Sequence, residues 1–239
     1  GYDMRRVVER IVDTDSLLEI QPLYARNVVC GMARLNGFSV GVIANNPMFG
    51  AGTLDPQACH KIIRLATVCD SYNIPIIFLA DVPGFMVGER VEHELMLHWG
   101  MRMMHALQNC SAPTLTVCIR KAFGLAWQAM NGSQMPALGV YSWPGAEIGF
   151  MDPEVGVNVA FGSKLARIED SDAREAERAE LVREVGESTN PYEAAGTMRI
   201  DEIIDPGDTR SVLAHDLEML AHRSVPPPEA RPLSYWPTC

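Results

Sequence analysis

Apolar residues in this chain fall into short runs separated by longer mixed segments. Residues 28–35 and 38–44 are mostly apolar or small, and the Asn36-Gly37 pair between them suits a two-residue type I′ turn. They predict a strand pair, preceded by a short helix at 3–12. Gly50-Ala51-Gly52 predicts a flexible loop. Asp55-Pro56 supplies an N-cap and a first-turn proline, and so predicts a helix to about Tyr72. Residues 75–81 are almost wholly apolar, the pattern of a buried strand. Val82-Pro83-Gly84-Phe85 ends it. A long helix is predicted at about 90–109, a second buried strand at 114–119, a helix opening at Gly124 and running to Met130, and short strands near 138–142 and 146–151. Residues 169–187 read as a solvated, charged helix and 209–222 as a closing helix. Buried strands alternating with helices predict an α/β fold with mainly parallel pairing and right-handed crossovers. The prolines at 226, 227, 228, 232 and 237 predict an extended tail. The chain therefore divides into a domain, 1–223, and a Pro-rich tail, 224–239.

Composition narrows the partners. The 239 residues include 20 basic and 30 acidic side chains, a net charge of −10, and no basic patch, which argues against nucleic acid. No run of about 18 uncharged apolar residues is present, so no membrane span is expected. The first residue is Gly1, and no secretory signal follows it, which suggests a processed, tagged or partial chain. Six cysteines lie mostly in apolar runs without a C-x-x-C pair. That suggests reduced, buried thiols in a cytoplasmic protein.

Several chemistries find no support. There is no G-x-S-x-G elbow and no phosphate-binding loop of the G-x-x-x-x-G-K type. Gly50-x-Gly52 lacks the third glycine of a dinucleotide site. His93 and His98, five residues apart on a predicted helix, face different directions, and His98 and His105 lie two turns apart, so no metal is expected. Asn131-Gly132-Ser133 matches a glycosylation pattern but reads as a helix end. No acid–base pair is evident, so backbone donors and the substrate or a cofactor would have to carry any reaction.

Two strand-to-helix junctions stand out: residues 78–88, with Asp81-Val82-Pro83-Gly84-Phe85, and residues 117–130, with Arg120-Lys121-Ala122-Phe123-Gly124-Leu125-Ala126-Trp127-Gln128. In each, an apolar strand meets a glycine-bearing turn. Such a turn leaves N–H groups free at a helix start, where two of them can hold an oxyanion. Either turn alone also suits close helix–strand packing.

Together the junctions resemble the D-V-P-G-F-x-x-G and R-K-A-Y-G-G-A-Y segments of biotin-dependent acyl-CoA carboxylases. Residues 41–47, 69–75, 143–148, 204–206 and 209–210 resemble further segments of that family, in the same order over about residues 2–222. The chain thus resembles the C-terminal half of a carboxyltransferase β subunit of the propionyl-CoA/acetyl-CoA carboxylase type. The resemblance implies the crotonase (ClpP-like) fold of repeated ββα units. It implies transfer of a carboxyl group from carboxybiotin, on a separate carrier, to the α-carbon of an acyl-CoA, with biotin itself serving as the base. It implies backbone oxyanion donors at Leu125 and Ala126, a turn at Gly124, a facing wall of Val82, Pro83, Gly84 and Phe85, and pocket lining by Trp127 and Gln128. Implied partners are an N-terminal carboxyltransferase domain, a biotin carboxylase/biotinyl carrier subunit, and further copies in a homo-oligomer, dimer to hexamer.

Family members often carry Gly-Ala followed by Tyr-Asp where this chain has Leu125-Ala126 and Trp127-Gln128, which leaves the acyl group open. Arg120 and Lys121 are expected to pack and balance charge at the turn. Three alternatives stand beside the main reading. One is a biotin-dependent carboxyacyl-CoA decarboxylase subunit. Another is a crotonase-type hydratase or isomerase using Glu147. The third is a non-catalytic module that docks the biotinyl carrier or completes an oligomer.

Overall fold

The structure is a computed structural model that describes residues 1–133 and 135–221. The predicted tail, 224–239, and its boundary lie outside the described residues. The elements begin with α1 (Arg5–Ile11), β1 (Leu18–Glu19), β2 (Val28–Leu35), β3 (Phe38–Asn45), α2 (Pro56–Ser71) and β4 (Ile76–Val82). They continue with α3 (Glu89–His93), α4 (Met96–Gln108), β5 (Thr114–Phe123), α5 (Gly124–Ala129), β6 (Gly139–Ser142) and β7 (Glu147–Gly149). The described chain closes with α6 (Pro153–Leu165), α7 (Ser171–Glu187), α8 (Pro191–Gly196), β8 (Glu202–Ile203) and α9 (Thr209–Ala221).

All strands share one sheet, in the order β1-β2-β3-β4-β5-β6-β8, with β7 also on β5. β1, β2 and β3 pair antiparallel and every later pairing is parallel. Asn36 and Gly37 both take positive φ, as a type I′ turn demands, and set Leu35 opposite Phe38. This is the mixed, mostly parallel sheet of the crotonase-like fold.

Alternation along the strands builds two cores. Ile76, Phe78, Ala80 and Val82 of β4 face the layer of α2, α4 and α5, whereas Ile77 and Leu79 face α1 and α9. Both β4 faces are buried, which is why its sequence is an unbroken apolar run. A third, small cluster of Val157, Leu165 and Leu181 joins α6 to α7.

The structure corrects several expected boundaries. The helix at 90–109 is two helices, split at Leu95, which takes a left-handed φ of 63°. The strand at 114–119 runs on to Phe123, because β7 pairs with its second half while β6 pairs with its first. The short strand at 146–151 is Glu147–Gly149. Gly50-Ala51-Gly52 is a tight helical turn rather than an open loop. Helices α6 and α8 were not expected, yet both open with a capping side chain and a proline. Asp152 accepts from the Glu154 N–H and Asn190 from the Glu193 N–H, as Asp55 does from the Ala58 N–H in α2.

Candidate active site

The C-terminal ends of β4 and β5 lie side by side, with Val82 opposite Ala122 and an irregularity in the ladder between Ala80 and Val82. Asp81 sits at that irregularity, fully buried. Arg120 Nε donates to both of its oxygens, at 3.1 and 3.3 Å, and the Tyr2 hydroxyl donates at 2.7 Å. The Lys121 N–H donates to Oδ1 at 3.3 Å, and Asp81 donates its own N–H to Asn45 Oδ1 at 3.2 Å. One carboxylate therefore ties both junctions together. Burial, then the charge of Asp81, pushes the Tyr2 phenol far above its ordinary value, so it remains a donor. Lys121 Nζ pairs with Asp152 at 2.9 Å. Packing and charge balance thus account for Arg120 and Lys121, as expected.

Beyond Lys121, β5 turns into α5 at Gly124. Its φ is +58°, and a Cβ there would stand 2.8 Å from the Phe150 carbonyl oxygen, so both conformation and space require glycine. Phe123, at the N-cap, offers no side-chain cap. Helix geometry gives the first N–H groups of α5 no intrahelical acceptor. Those of Leu125 and Ala126 belong to this turn.

Beside the turn lies a cleft of about 310 Å³. Gly124, Leu125, Trp127 and Gln128 line one side, and Ser133, Ile148, Gly149, Phe150 and Arg199 line the rest. Leu125 is exposed, whereas the Ala126 methyl is buried in the core below. The Trp127 indole is fixed by a 3.0 Å bond from Nε1 to Ser133 Oγ and by the close approach of Gly132. Among the expected site residues, the structure therefore gathers Gly124, Leu125, Trp127 and Gln128 around one cleft, with Ala126 beneath it.

Val82, Pro83, Gly84 and Phe85 do not line that cleft. Val82 is in the core, Gly84 accepts the Leu54 N–H through its carbonyl at 3.1 Å, and Phe85 packs against Gly100 of α4. α5 does pack on β4, so this segment stands one strand away. Glu147 is exposed on β7, opposite Lys121 in register, and is not among the lining residues. His93 ends α3, and His98 meets Trp99 edge-on in α4. Asn131 follows α5 with a φ of 59°, buried, and donates through Nδ2 to the Thr114 and Thr116 hydroxyls. It is a helix end.

Ser133, Ile148, Gly149, Phe150 and Arg199 also line the cleft and were not among the expected site residues. Phe150 falls inside the strand expected at 146–151, although the observed strand stops at Gly149. Arg199 is brought to the cleft only by the packing of α8 against β7. The thiols of Cys30, Cys59, Cys69 and Cys118 are buried outside any disulfide, and burial pushes those of Cys30 and Cys69 up to about 12. Among the described residues, no helix is long and apolar enough to cross a membrane.

Comparison with known proteins fits this geometry. The family described as "Carboxyl transferase domain" matches residues 1–232. The propionyl-CoA carboxylase carboxyltransferase subunit of Haloferax mediterranei is 40% identical over 230 residues, 96% of this chain and 44% of that protein. The methylmalonyl-CoA decarboxylase subunit alpha of Veillonella parvula is 38% identical over 222 residues, covering 93% and 42%. The hexameric transcarboxylase 12S, solved with methylmalonyl-coenzyme A and methylmalonic acid bound, superposes with a TM-score of 0.86 at 39% identity, over 97% of this chain and 44% of that one. The chain spans less than half the length of these relatives. On this match and on its fold, the chain belongs to the carboxyl transferase domain family.

Proposed function

We propose that this chain supplies the biotin-side half of a carboxyltransferase active site, in an enzyme that moves a carboxyl group from carboxybiotin to the α-carbon of an acyl-CoA. The observation that carries the reading is the left-handed Gly124 turn, which opens an uncapped helix start onto the cleft. A flat bicyclic urea fits there. The walls are apolar at Leu125, Ile148 and Phe150, and the edge offers N–H donors suited to a ureido oxygen. Bound there on its carrier protein, carboxybiotin supplies the carboxyl group and a ureido nitrogen that takes the α-proton.

The residues of this chain position and stabilise. The Leu125 and Ala126 N–H groups stabilise negative charge on an oxygen placed at the turn. Trp127, locked by Ser133, holds the ring plane. The Asp81–Arg120 tie keeps β4 and β5 in register beneath the turn. Beyond the core residue Val82, the half-buried Pro83, Gly84 and Phe85 serve as the facing wall when the other half of the site closes over it. The other half belongs to an N-terminal carboxyltransferase domain. A biotin carboxylase/biotinyl carrier subunit delivers the cofactor, and copies assemble up to a hexamer, as the solved relative does. The free, buried thiols support a reducing compartment, the cytoplasm.

The test uses the fully assembled enzyme, carboxylated biotin carrier and acyl-CoAs from acetyl to long-chain. Leu125→Pro removes one donor at an exposed first-turn position, and Leu125→Ala retains it. The proline variant is expected to lose about 10²–10³ in transfer rate while the alanine variant stays near wild type. A proline variant as fast as wild type sinks the oxyanion assignment. If a folded, complete assembly carboxylates no acyl-CoA, the docking-module reading replaces this one. Decarboxylation is the second reading, favoured by the Veillonella relative. The same assembly given a carboxyacyl-CoA and unloaded carrier distinguishes it.

A further inference from the structure

We infer that the cleft beside α5 receives a carboxylate, and that Arg199 is the specificity-determining residue that holds it. Among the described residues lining the cleft, Arg199 is the one charged side chain. The neighbouring cations are already matched: Arg120 by Asp81 at 3.1 Å and Lys121 by Asp152 at 2.9 Å. Arg199 differs. Its Nε donates to a neutral acceptor, Thr197 Oγ1, at 3.1 Å, and no carboxylate of the described residues lies within ion-pair distance. Its main-chain N–H is anchored to the Ala194 carbonyl at 2.8 Å, so its Cα is set by the end of α8 rather than by a loose loop.

This is notable in a chain with ten more acidic than basic residues, where an internal partner would be easy to supply. A half-buried guanidinium facing a largely apolar cleft keeps most of its donors for a ligand. Its planar fork matches a carboxylate with two parallel N–H···O bonds, which a lysine cannot form. The carboxylate can be the one undergoing transfer or one that terminates the acyl chain. The inference deepens the carboxyltransferase reading, from which it takes only the thioester class of ligand.

The experiment is equilibrium binding to the assembled enzyme of two matched pairs. Propionyl-CoA and methylmalonyl-CoA differ by an α-carboxylate, and butyryl-CoA and glutaryl-CoA by a terminal one. Because all four share coenzyme A, phosphate contacts cancel within each pair. Wild type is expected to bind the carboxylated member of one pair more tightly. Arg199→Gln should lose that preference by about tenfold or more while leaving the uncarboxylated member unchanged, and Arg199→Lys should restore part of it. Loss confined to methylmalonyl-CoA assigns the carboxylate in transfer, and loss confined to glutaryl-CoA assigns an acyl-chain terminus. Equal binding within both pairs by wild type, unchanged binding by Arg199→Gln, or equal weakening of all four ligands overturns the inference. Binding is read without turnover. An assembly that shows the preference but transfers no carboxyl group would sink the carboxyltransferase reading and leave this one standing.

Discussion

The sheet core and the α6–α7 hairpin are built on opposite principles. β4 and β5 bury both faces, and alternate residues enter two different cores. The hairpin rests on a cluster of three buried side chains, and it leaves Phe150, Val155 and Val159 exposed. Surface ion pairs such as Lys164–Glu177 and Arg183–Glu180 decorate it but contribute little. The sheet completes its own burial, whereas the hairpin is held at one edge only. The Gly124 turn lies between them, its conformation dictated by the sheet and its space limited by Phe150 at the foot of the hairpin.

Four measurements break or sharpen this contrast. Phe78→Ala, at a fully buried β4 position, should cost about 3–5 kcal/mol and lower the denaturant midpoint of the whole domain. Leu181→Ala should cost about 2 kcal/mol, and hydrogen exchange should place the loss in α6 and α7 alone. Loss of protection in β4 and β5 as well would show that the hairpin and sheet open together. Gly124→Ala should cost about 1–2 kcal/mol, from a left-handed residue with a crowded Cβ. Circular dichroism should stay native while carboxyl transfer by the assembly collapses.

The smallest effect is on the sheet side. The Arg210 hydrogen bond, then the Gly37 N–H, holds the Asp13 carboxyl below its ordinary value. A depressed carboxyl stabilises the fold above its unfolded pKa and loses that contribution as pH falls through the lowered folded value. Asp13→Asn should therefore narrow the stability gap to wild type only in acid, by under about 1 kcal/mol, and less in high salt.

How far this was legible depended on whether a signal was local. β2 to β5 announced themselves because burial on both faces writes an apolar run into the chain. The Gly124 turn was legible because one residue type alone tolerates it. α6 and α8 carry the same Asp-Pro or Asn-Pro opening as α2, but their apolar positions are too few or too evenly spread to draw attention. Leu95 breaks a helix with neither glycine nor proline to mark it. β8 is two residues long and exists only because β6 offers it an edge. Arg199 reaches the cleft from about seventy positions beyond Gln128, through tertiary packing alone, so nothing in its neighbours could have flagged it.

The pairing pattern also predicts an order of assembly. The turn at Asn36-Gly37 lets β2 and β3 meet across two residues, an event of about 1–10 μs. Every later pairing is parallel and waits for a crossover, as when Gly41 finds Ile76. The tie between Asp13 and Arg210 spans 197 positions. Refolding should therefore begin at the hairpin and end where α9 settles on α1. The cleft depends on β7 and α8, so it belongs to the late steps, and ligand should recognise only chains that have nearly finished folding.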